Sequence, residues 1–198
     1  MNERHAPDGP YAGIVRRTGA YVIDYAVMFA AFVILQSFVL LPLRTWMLGS
    51  DQWMKAGGFP LEAYTLLTIS LPTWLYFACS EQSTWQATIG KRVFGLIVTD
   101  IRGDRIDFGR AMLRTVIKLL PWELTHLTVN LPTAMFFEPE PEFRFGLLVV
   151  FALLVVYPAF VLLTRRHQSV HDLIAKTVVL YGSARHNESL DTSGERVS

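Results

Sequence analysis

Three long stretches of this 198-residue chain carry no charged side chain. They are Tyr25–Leu43 with 19 residues, Ala63–Ser80 with 18 and Phe145–Thr164 with 20. A helix needs about 20 predominantly apolar residues to cross the ~30 Å hydrocarbon layer of a bilayer. Three such helices leave too little polar surface in a short chain to cover them in water. The pattern therefore predicts three transmembrane helices and argues against the core helices of a soluble protein.

A fourth segment, Ala111–Asn130, has apolar residues at helical spacing but also contains Arg114, Lys118 and Glu123. It either crosses the membrane, shielded by the other helices, or lies along the interface. If it crosses, 15 of the 18 Lys and Arg side chains fall on the side of the two termini. Short cytoplasmic loops carry an excess of Lys and Arg. The charge distribution therefore favours four crossings with both termini in the cytoplasm.

The predicted fold class is an all-α membrane protein built as a four-helix transmembrane bundle. Residues 14–182 form this domain, between a cytoplasmic N-terminal tail of residues 1–13 and a disordered cytoplasmic tail of residues 183–198. The helices are predicted at about 17–43, 61–80, 109–131 and 144–164.

Between the second and third helices the periodicity changes from helical to strand-like. Val93–Thr99 is rich in β-branched and apolar residues, Asp100–Asp104 supplies turn residues, and Arg105–Phe108 alternates. This pattern predicts a cytoplasmic β-hairpin over about 93–108. Thr177–Tyr181 is a further strand candidate on the same side, and a lone hairpin is only marginally stable. We expect a small hairpin or three-stranded sheet that caps the bundle.

Composition restricts the class of protein further. Hydrophobic residues make up 52% of the chain and charged residues 18%, below the roughly 25% charge of a soluble domain. The net charge of +1 argues against a nucleic-acid partner. The single cysteine, Cys79, excludes an internal disulfide and a cysteine-based zinc site. Because the sequence has no hydrolase, zinc-protease or phosphate-loop motif, it predicts neither an enzyme nor a cofactor.

The first helix contains a charge that is costly inside a membrane. Asp24 follows Arg17 by seven residues, nearly two turns, so both side chains project from one face and Asp24 lies about 10 Å deeper. Arg17 can extend to the lipid headgroups. A carboxylate at the depth of Asp24 must be paired, hydrated or protonated. Asp24 is therefore either part of a structural ion pair within the bundle or an ion- or proton-binding group.

Arg114 and Lys118 are the predicted partners of Asp24. If the third helix enters the membrane near Gly109, they lie about 7 Å and 13 Å deep, on either side of the depth of Asp24. Arg110, Arg114 and Lys118 also share one helix stripe, and their other interpretation is a basic face that meets lipid phosphates. We expect Asp24 to pair with Arg114, with Lys118 as the alternative.

A polar segment follows the last helix. Ser169 and Asp172 have the spacing of a capping box, and Asp172 is also a partner candidate for Arg17 at the cytoplasmic face. His167 and His171 are four residues apart, which suits two metal ligands on one helix turn. A cap at Ser169 would interrupt that helix. The sequence therefore predicts no metal site here and favours Asp172 as a cap or as the partner of Arg17.

Taken together, these segments resemble the RDD family, which is named for one arginine and two aspartates. Arg17–Asp24 resembles the start of its first helix, and Thr88–Leu96 (TIGKRVFGL) resembles its T-x-G-K segment. Arg114 resembles the arginine on its following helix, and His171–Val179 resembles its closing H-D segment. Asp172 would then be the second aspartate.

The resemblance, over roughly residues 14 to 182, implies a multi-pass protein of the inner (plasma) membrane with a role in transport of an ion or small solute. The alternative is a non-catalytic scaffold or accessory subunit whose charged residues are structural. The residues of the expected ion-binding site or intramembrane charge network are Arg17, Asp24, Arg114, Lys118, His171 and Asp172. The lipid bilayer is the expected partner, a homo-oligomer or another membrane protein is left open, and the substrate is undefined.

Reporter fusions test the predicted topology. A reporter that is active only in the cytoplasm should be active after Ser198, and a reporter inserted near Gly57 should indicate the outer side, because the four-crossing arrangement separates these positions by an odd number of helices. The reverse pattern would contradict the arrangement.

Overall fold

The structure, a computed structural model, describes residues 10–48 and 57–182. Within these ranges the chain is mostly helical with one small antiparallel sheet. The helices are α1 Ile14–Leu35, α2 Leu41–Leu48, α3 Gly58–Thr65, α4 Leu71–Gln82, α5 Ile89–Val93, α6 Phe108–Asn130, α7 Phe145–Leu163 and α8 Val170–Ala175. The strands are β1 Leu96–Asp100 and β2 Thr177–Tyr181.

Two π-helical turns join the first four helices into two long elements. Gln36–Leu40 connects α1 to α2, and Leu66–Ser70 connects α3 to α4. The two elements contact each other at Gln36, whose Nε2 donates to Thr68 Oγ1 of the second turn at 3.4 Å and whose Oε1 accepts from Tyr64 Oη of α3 at 2.5 Å. The predicted helices at 17–43 and 61–80 are thus continuous elements that extend a few residues further at each end.

Two helices of the described chain are long and apolar enough to cross a membrane. They cover Ile14–Leu43, with 30 residues, and Phe145–Leu163, with 19 residues. The element from α3 to α4 is less apolar because it contains threonine, serine and tyrosine side chains. The helix α6 contains the charged residues Arg114, Lys118 and Glu123. The bundle of four crossings therefore stays a prediction, whereas the helical fold is observed.

The sheet differs from the predicted hairpin. β1 pairs antiparallel with β2, with Val98 opposite Val179, and Tyr11 adds an isolated bridge to Leu180. The predicted hairpin over 93–108 is wrong, since residues 105–108 form no strand. The separate candidate at 177–181 is the actual partner of β1.

The turn after β1 explains this outcome. The Asp100 carboxylate accepts the backbone N–H groups of Arg102 and Asp104 at 2.8 and 2.9 Å, which closes a tight local turn. Asp107 then caps α6 by accepting the N–H of Arg110 at 2.9 Å. The chain therefore enters a helix where a hairpin would need a returning strand.

The sheet covers a small core at one end of the helices. Val98 and Val179 are fully buried there and belong to one cluster with Ala20 of α1, Ala78 of α4 and Ala111 of α6. Small side chains at these positions let the helix ends approach each other closely under the sheet. The same helix ends carry the charged residues of the candidate site, within one turn of these alanines.

Candidate functional site

Six charged side chains from five helices meet beside this core. None of them is more than 7% exposed. Burying a charge is costly unless other groups of the protein pair with it or donate hydrogen bonds to it, so the contacts of these side chains decide what the site is. We call them the charge cluster: Arg17, Glu81, Lys91, Arg114, Lys118 and Asp172.

Arg114 is the centre of the charge cluster. Its Nη1 donates to Glu81 Oε2 at 2.5 Å, while Nε and Nη2 donate to Asp172 Oδ1 at 3.0 and 2.7 Å. Nε also lies 3.2 Å from Thr177 Oγ1. The fixed fork of donors in a guanidinium suits two carboxylates at once. Arg114 thereby connects α4, α6 and α8.

Glu81 is shared by three cations. Besides Arg114, its Oε1 accepts hydrogen bonds from Lys91 Nζ at 2.9 Å and from Lys118 Nζ at 3.2 Å. Lys118 Nζ also lies 3.4 Å from the centre of the Phe77 ring, in a cation–π contact. Sequence reasoning missed Glu81 and Lys91, although the position of Glu81 at the end of an 18-residue charge-free run was the available signal.

Asp172 both caps α8 and pairs with Arg17, the two roles that the sequence left open. Its Oδ2 accepts Arg17 Nη1 at 2.6 Å and the backbone N–H of Ser169 at 3.1 Å. Ser169 and Asp172 form a capping box at the start of α8. Thr177 Oγ1 donates to Oδ1 at 3.3 Å. The carboxylate therefore joins α1, α6 and α8 to the first residue of β2.

The electrostatic balance keeps Asp172 charged. Burial raises the pKa of Asp172, but the guanidinium groups of Arg114 and Arg17 outweigh burial and hold this pKa well below its usual range. The pKa of the neighbouring His171 is also lowered, but here burial is the main cause. Burial lowers the pKa of His171 to about 3, Asp172 opposes this, and Arg114, Lys118 and Arg17 add to it. His171 is therefore neutral beside an ionised Asp172.

Asp24 lies outside the charge cluster, and its predicted pairing with Arg114 or Lys118 is wrong. Its Oδ1 accepts Tyr76 Oη at 2.7 Å and the backbone N–H of Gly90 at 2.8 Å, and its Oδ2 accepts Thr88 Oγ1 at 2.6 Å. Within residues 10–48 and 57–182 no cation pairs with it. The prediction compared only the depths of Asp24, Arg114 and Lys118 along their helices. It did not consider which side of α1 Asp24 lies on, and that side faces α5.

The segment Thr88–Lys91 explains how α5 approaches α1 so closely. Thr88 caps α5, because its hydroxyl accepts the Lys91 N–H at 3.4 Å while donating to Asp24. Gly90 packs against α1, where a Cβ atom would come within 2.0 Å of the carbonyl oxygen of Ala20. Glycine is therefore required at this position, and Lys91 at the next one reaches the charge cluster.

His167 and His171 do not form a metal pair. His167 precedes the cap of α8 and has a positive φ of 49°, so the two rings do not share a helix face. His167 Nδ1 lies 3.2 Å from the carbonyl oxygen of Val161. In the part of the chain that the structure describes, no group of three or more His, Cys, Asp or Glu side chains is placed to hold a metal ion.

The model of the RDD family matches residues 11–176. The chain belongs to the RDD family. Neither the curated proteins nor the solved structures include a significant match to it. Arg17 and Asp172, the arginine and the second aspartate of the family resemblance, form a direct ion pair. The first aspartate, Asp24, accepts hydrogen bonds from Thr88 and Gly90 of the T-x-G-K segment. In this RDD protein the motif residues therefore form two adjoining polar contacts. The contact at Asp172 is ionic, and the contact at Asp24 is made by neutral donors.

Substitution of Glu81 tests the charge cluster of this RDD protein. Glu81→Gln leaves three cations without their shared carboxylate, and breaking a buried pair typically costs ~3–5 kcal/mol. We expect a loss of this order in the free energy of unfolding, measured in detergent. Glu142→Gln, the same change at an exposed position, should stay within about 0.5 kcal/mol of wild type. Equal effects of the two changes would contradict the ionic role of Glu81.

Acidification tests the neutral state of His171. An unfolded histidine has a pKa of about 6.5, whereas burial lowers the folded value to about 3. Between these values the unfolded chain binds a proton that the folded chain does not, so stability falls as the pH decreases. The melting temperature in detergent should decrease from about pH 6.5 to about pH 4.5, and His171→Phe should make this decrease shallower. An unchanged slope in the variant would refute the assignment.

Proposed function

We propose that this RDD protein is a multi-pass protein of the inner membrane that acts as a non-catalytic scaffold or accessory subunit. In this role its buried polar residues hold the helices in one arrangement, and its lipid-facing helices present the contact surface. The observation that carries the proposal is the environment of Asp24, the residue on which an ion-transport role would depend. Asp24 is fully buried, and both of its oxygens accept hydrogen bonds from the protein.

A titrating or ion-binding carboxylate needs a route to water and an oxygen that a ligand can reach. The donors to Asp24 come from α4 and from the start of α5, and they close around it. Asp24 lines neither a cavity of about 410 Å³ between α1, α6 and α7 nor a cavity of about 310 Å³ between α1, α4 and α6. A cation at Asp24 would compete with the two hydroxyl groups and the backbone N–H that contact its oxygens, and an unsatisfied buried donor costs ~1–3 kcal/mol.

The membrane location is supported by the family, by the two apolar helices and by the surface of α7. Along α7, Phe151, Val155 and Leu163 are 63%, 70% and 82% exposed. A contiguous exposed apolar face on a protein marks a surface for lipid or for another protein. Because these side chains lie on one of the two helices able to span a bilayer, lipid contact is the interpretation that requires no further assumption.

Transport of an ion or small solute is the second candidate. The observation in its favour is the composition of the charge cluster, in which four basic side chains meet two carboxylates. This excess would suit an anion better than a cation. Four helices without an inverted repeat offer no alternating-access machinery within one chain, which is why the accessory role is preferred.

Ion flux in proteoliposomes separates the two functions. Liposomes that contain the wild-type protein should show no more flux of Na⁺, K⁺, H⁺ or Cl⁻ than protein-free liposomes. Asp24→Asn should instead lower the stability in detergent by ~1–3 kcal/mol, because it removes acceptors from buried donors. Asp104→Asn, at an exposed turn, is the matched control. Wild-type flux that disappears in Asp24→Asn but persists in Asp104→Asn would overturn the scaffold proposal in favour of transport.

A further inference from the structure

A cavity of about 410 Å³ lies between α1, α6 and α7. At one end it is lined by Arg17, Lys118 and His171, each of which is more than nine-tenths buried. At the other end it is lined by apolar and aromatic side chains that include Tyr25 and Trp122. The cavity therefore has a basic end and an apolar end, as a binding site for an amphiphile requires.

The basic end contains donors that the protein does not satisfy. Arg17 uses Nη1 for Asp172 and Nε for the carbonyl oxygen of Ala12, but its buried Nη2 has no hydrogen-bond partner among the described residues. Neither ring nitrogen of His171 has a hydrogen-bond partner in the same part of the chain. Buried donors are almost always paired, so Arg17 Nη2 and the single N–H of the neutral His171 ring indicate a ligand that supplies acceptor oxygens.

Charge determines the class of that ligand. The basic side chains of the charge cluster outnumber its carboxylates by four to two, and Arg17 and Lys118 are the two basic members that also line the cavity. Arginine binds phosphate oxygens through several donors at once. A phosphate group at this end would accept from the free Nη2 and would balance the excess of basic side chains.

The apolar end continues beyond this cavity. Tyr25, Leu119 and Trp122 also line a second, apolar cavity of about 310 Å³ that extends along α1 towards Phe32 and Pro72. Tyr25 lies about 12 Å further along α1 than Arg17, at 1.5 Å per residue. The basic end is thus at the start of α1, and the apolar path runs deeper along the helix. A free anion would occupy only the basic end and would leave this path unexplained.

We propose that this cavity binds an anionic phospholipid of the cytoplasmic leaflet. The phosphate lies at Arg17 and His171, and an acyl chain follows the path past Tyr25 and Trp122. The proposal rests on the membrane location proposed above but not on the scaffold role, since a transporter could hold the same lipid. In this proposal the lipid phosphate accepts hydrogen bonds from the donors of Arg17 and His171 that the charge cluster leaves without a partner.

Lipid titration of the purified protein in an uncharged detergent tests the proposal, with bound species counted by native mass spectrometry. Three probes separate the sources of binding: phosphatidylglycerol, phosphatidylcholine with the same acyl chains, and glycerol phosphate without chains. We expect one phosphatidylglycerol per protein, bound at least about tenfold more tightly than either of the other probes. This measurement requires neither a topology assignment nor ion flux, so its failure is distinct from failure of the proposed function.

Two cavity variants, each with a matched control, locate the lipid. Thr18→Glu adds a negative charge at the cavity wall, whereas Val15→Glu adds it one turn earlier at an exposed position outside the wall. Leu154→Trp fills the apolar path, whereas Val155→Trp lies next to it on the exposed face of α7. Each cavity variant should weaken phosphatidylglycerol binding at least about tenfold, and each control by less than about twofold. Because one pair acts on charge and the other on volume, a folding defect in one leaves the other as a test.

Several outcomes would overturn the proposal. Equal binding of phosphatidylcholine would mean general solvation by lipid, and equal binding of glycerol phosphate would mean a small-anion site. Equal losses in the controls would place the lipid elsewhere on the surface. A dimer without bound lipid, lost in Leu154→Trp and retained in Val155→Trp, would show that a second copy of the chain fills the cavity.

Discussion

The structure depends on the cost of removing charge from water. An ion buried in a protein interior loses several kcal/mol of solvation, which only good geometry with its partners repays. Arg114, which is fully buried, meets this condition by dividing its donors between Glu81 and Asp172. Each of these carboxylates is shared in turn with further cations. The relative positions of α1, α4, α5, α6 and α8 are therefore fixed together, because moving any one of them would leave a charge without its partner.

Asp24 shows a second way of burying a carboxylate within the same protein. Its donors are two hydroxyl groups and one backbone N–H, none of which is charged. Such donors must come very close, and the contact between Gly90 and the backbone of Ala20 permits this. Neutral donors fix α5 against α1, whereas ion pairs connect α5 to α4 and α8 to α1 and α6. The two aspartates of the RDD resemblance thus have different chemistry, although the motif treats them alike.

Local features of the sequence predicted more than distant contacts did. The charge-free runs located the long helices, because helix formation and membrane insertion both depend on neighbouring residues. The role of Asp172 could also be predicted. Its capping box involves only nearby residues, and Arg17 is a basic residue at the same end of the helices. The pairing of Asp24 with Arg114 was wrong because depth along a helix does not determine rotation about its axis. The hairpin was wrong because β1 pairs with a strand that lies some 80 residues away in the chain, which no local pattern specifies.

The connection between Arg17 and Asp172 spans 155 positions of the chain, and this has a consequence for biosynthesis. A ribosome supplies residues from the N-terminus at about 5–20 per second, so α1 emerges many seconds before the aspartate that neutralises its arginine. During that interval Arg17 has only the backbone and the lipid headgroups as partners. Lys176 alone, in the left-handed conformation with φ 53°, separates the helix of Asp172 from β2, so the last ionic partner and the second strand of the sheet emerge together. The last charge of the charge cluster and the last strand are therefore both delivered within residues 170–181, and quality control of the nascent protein would act on this segment.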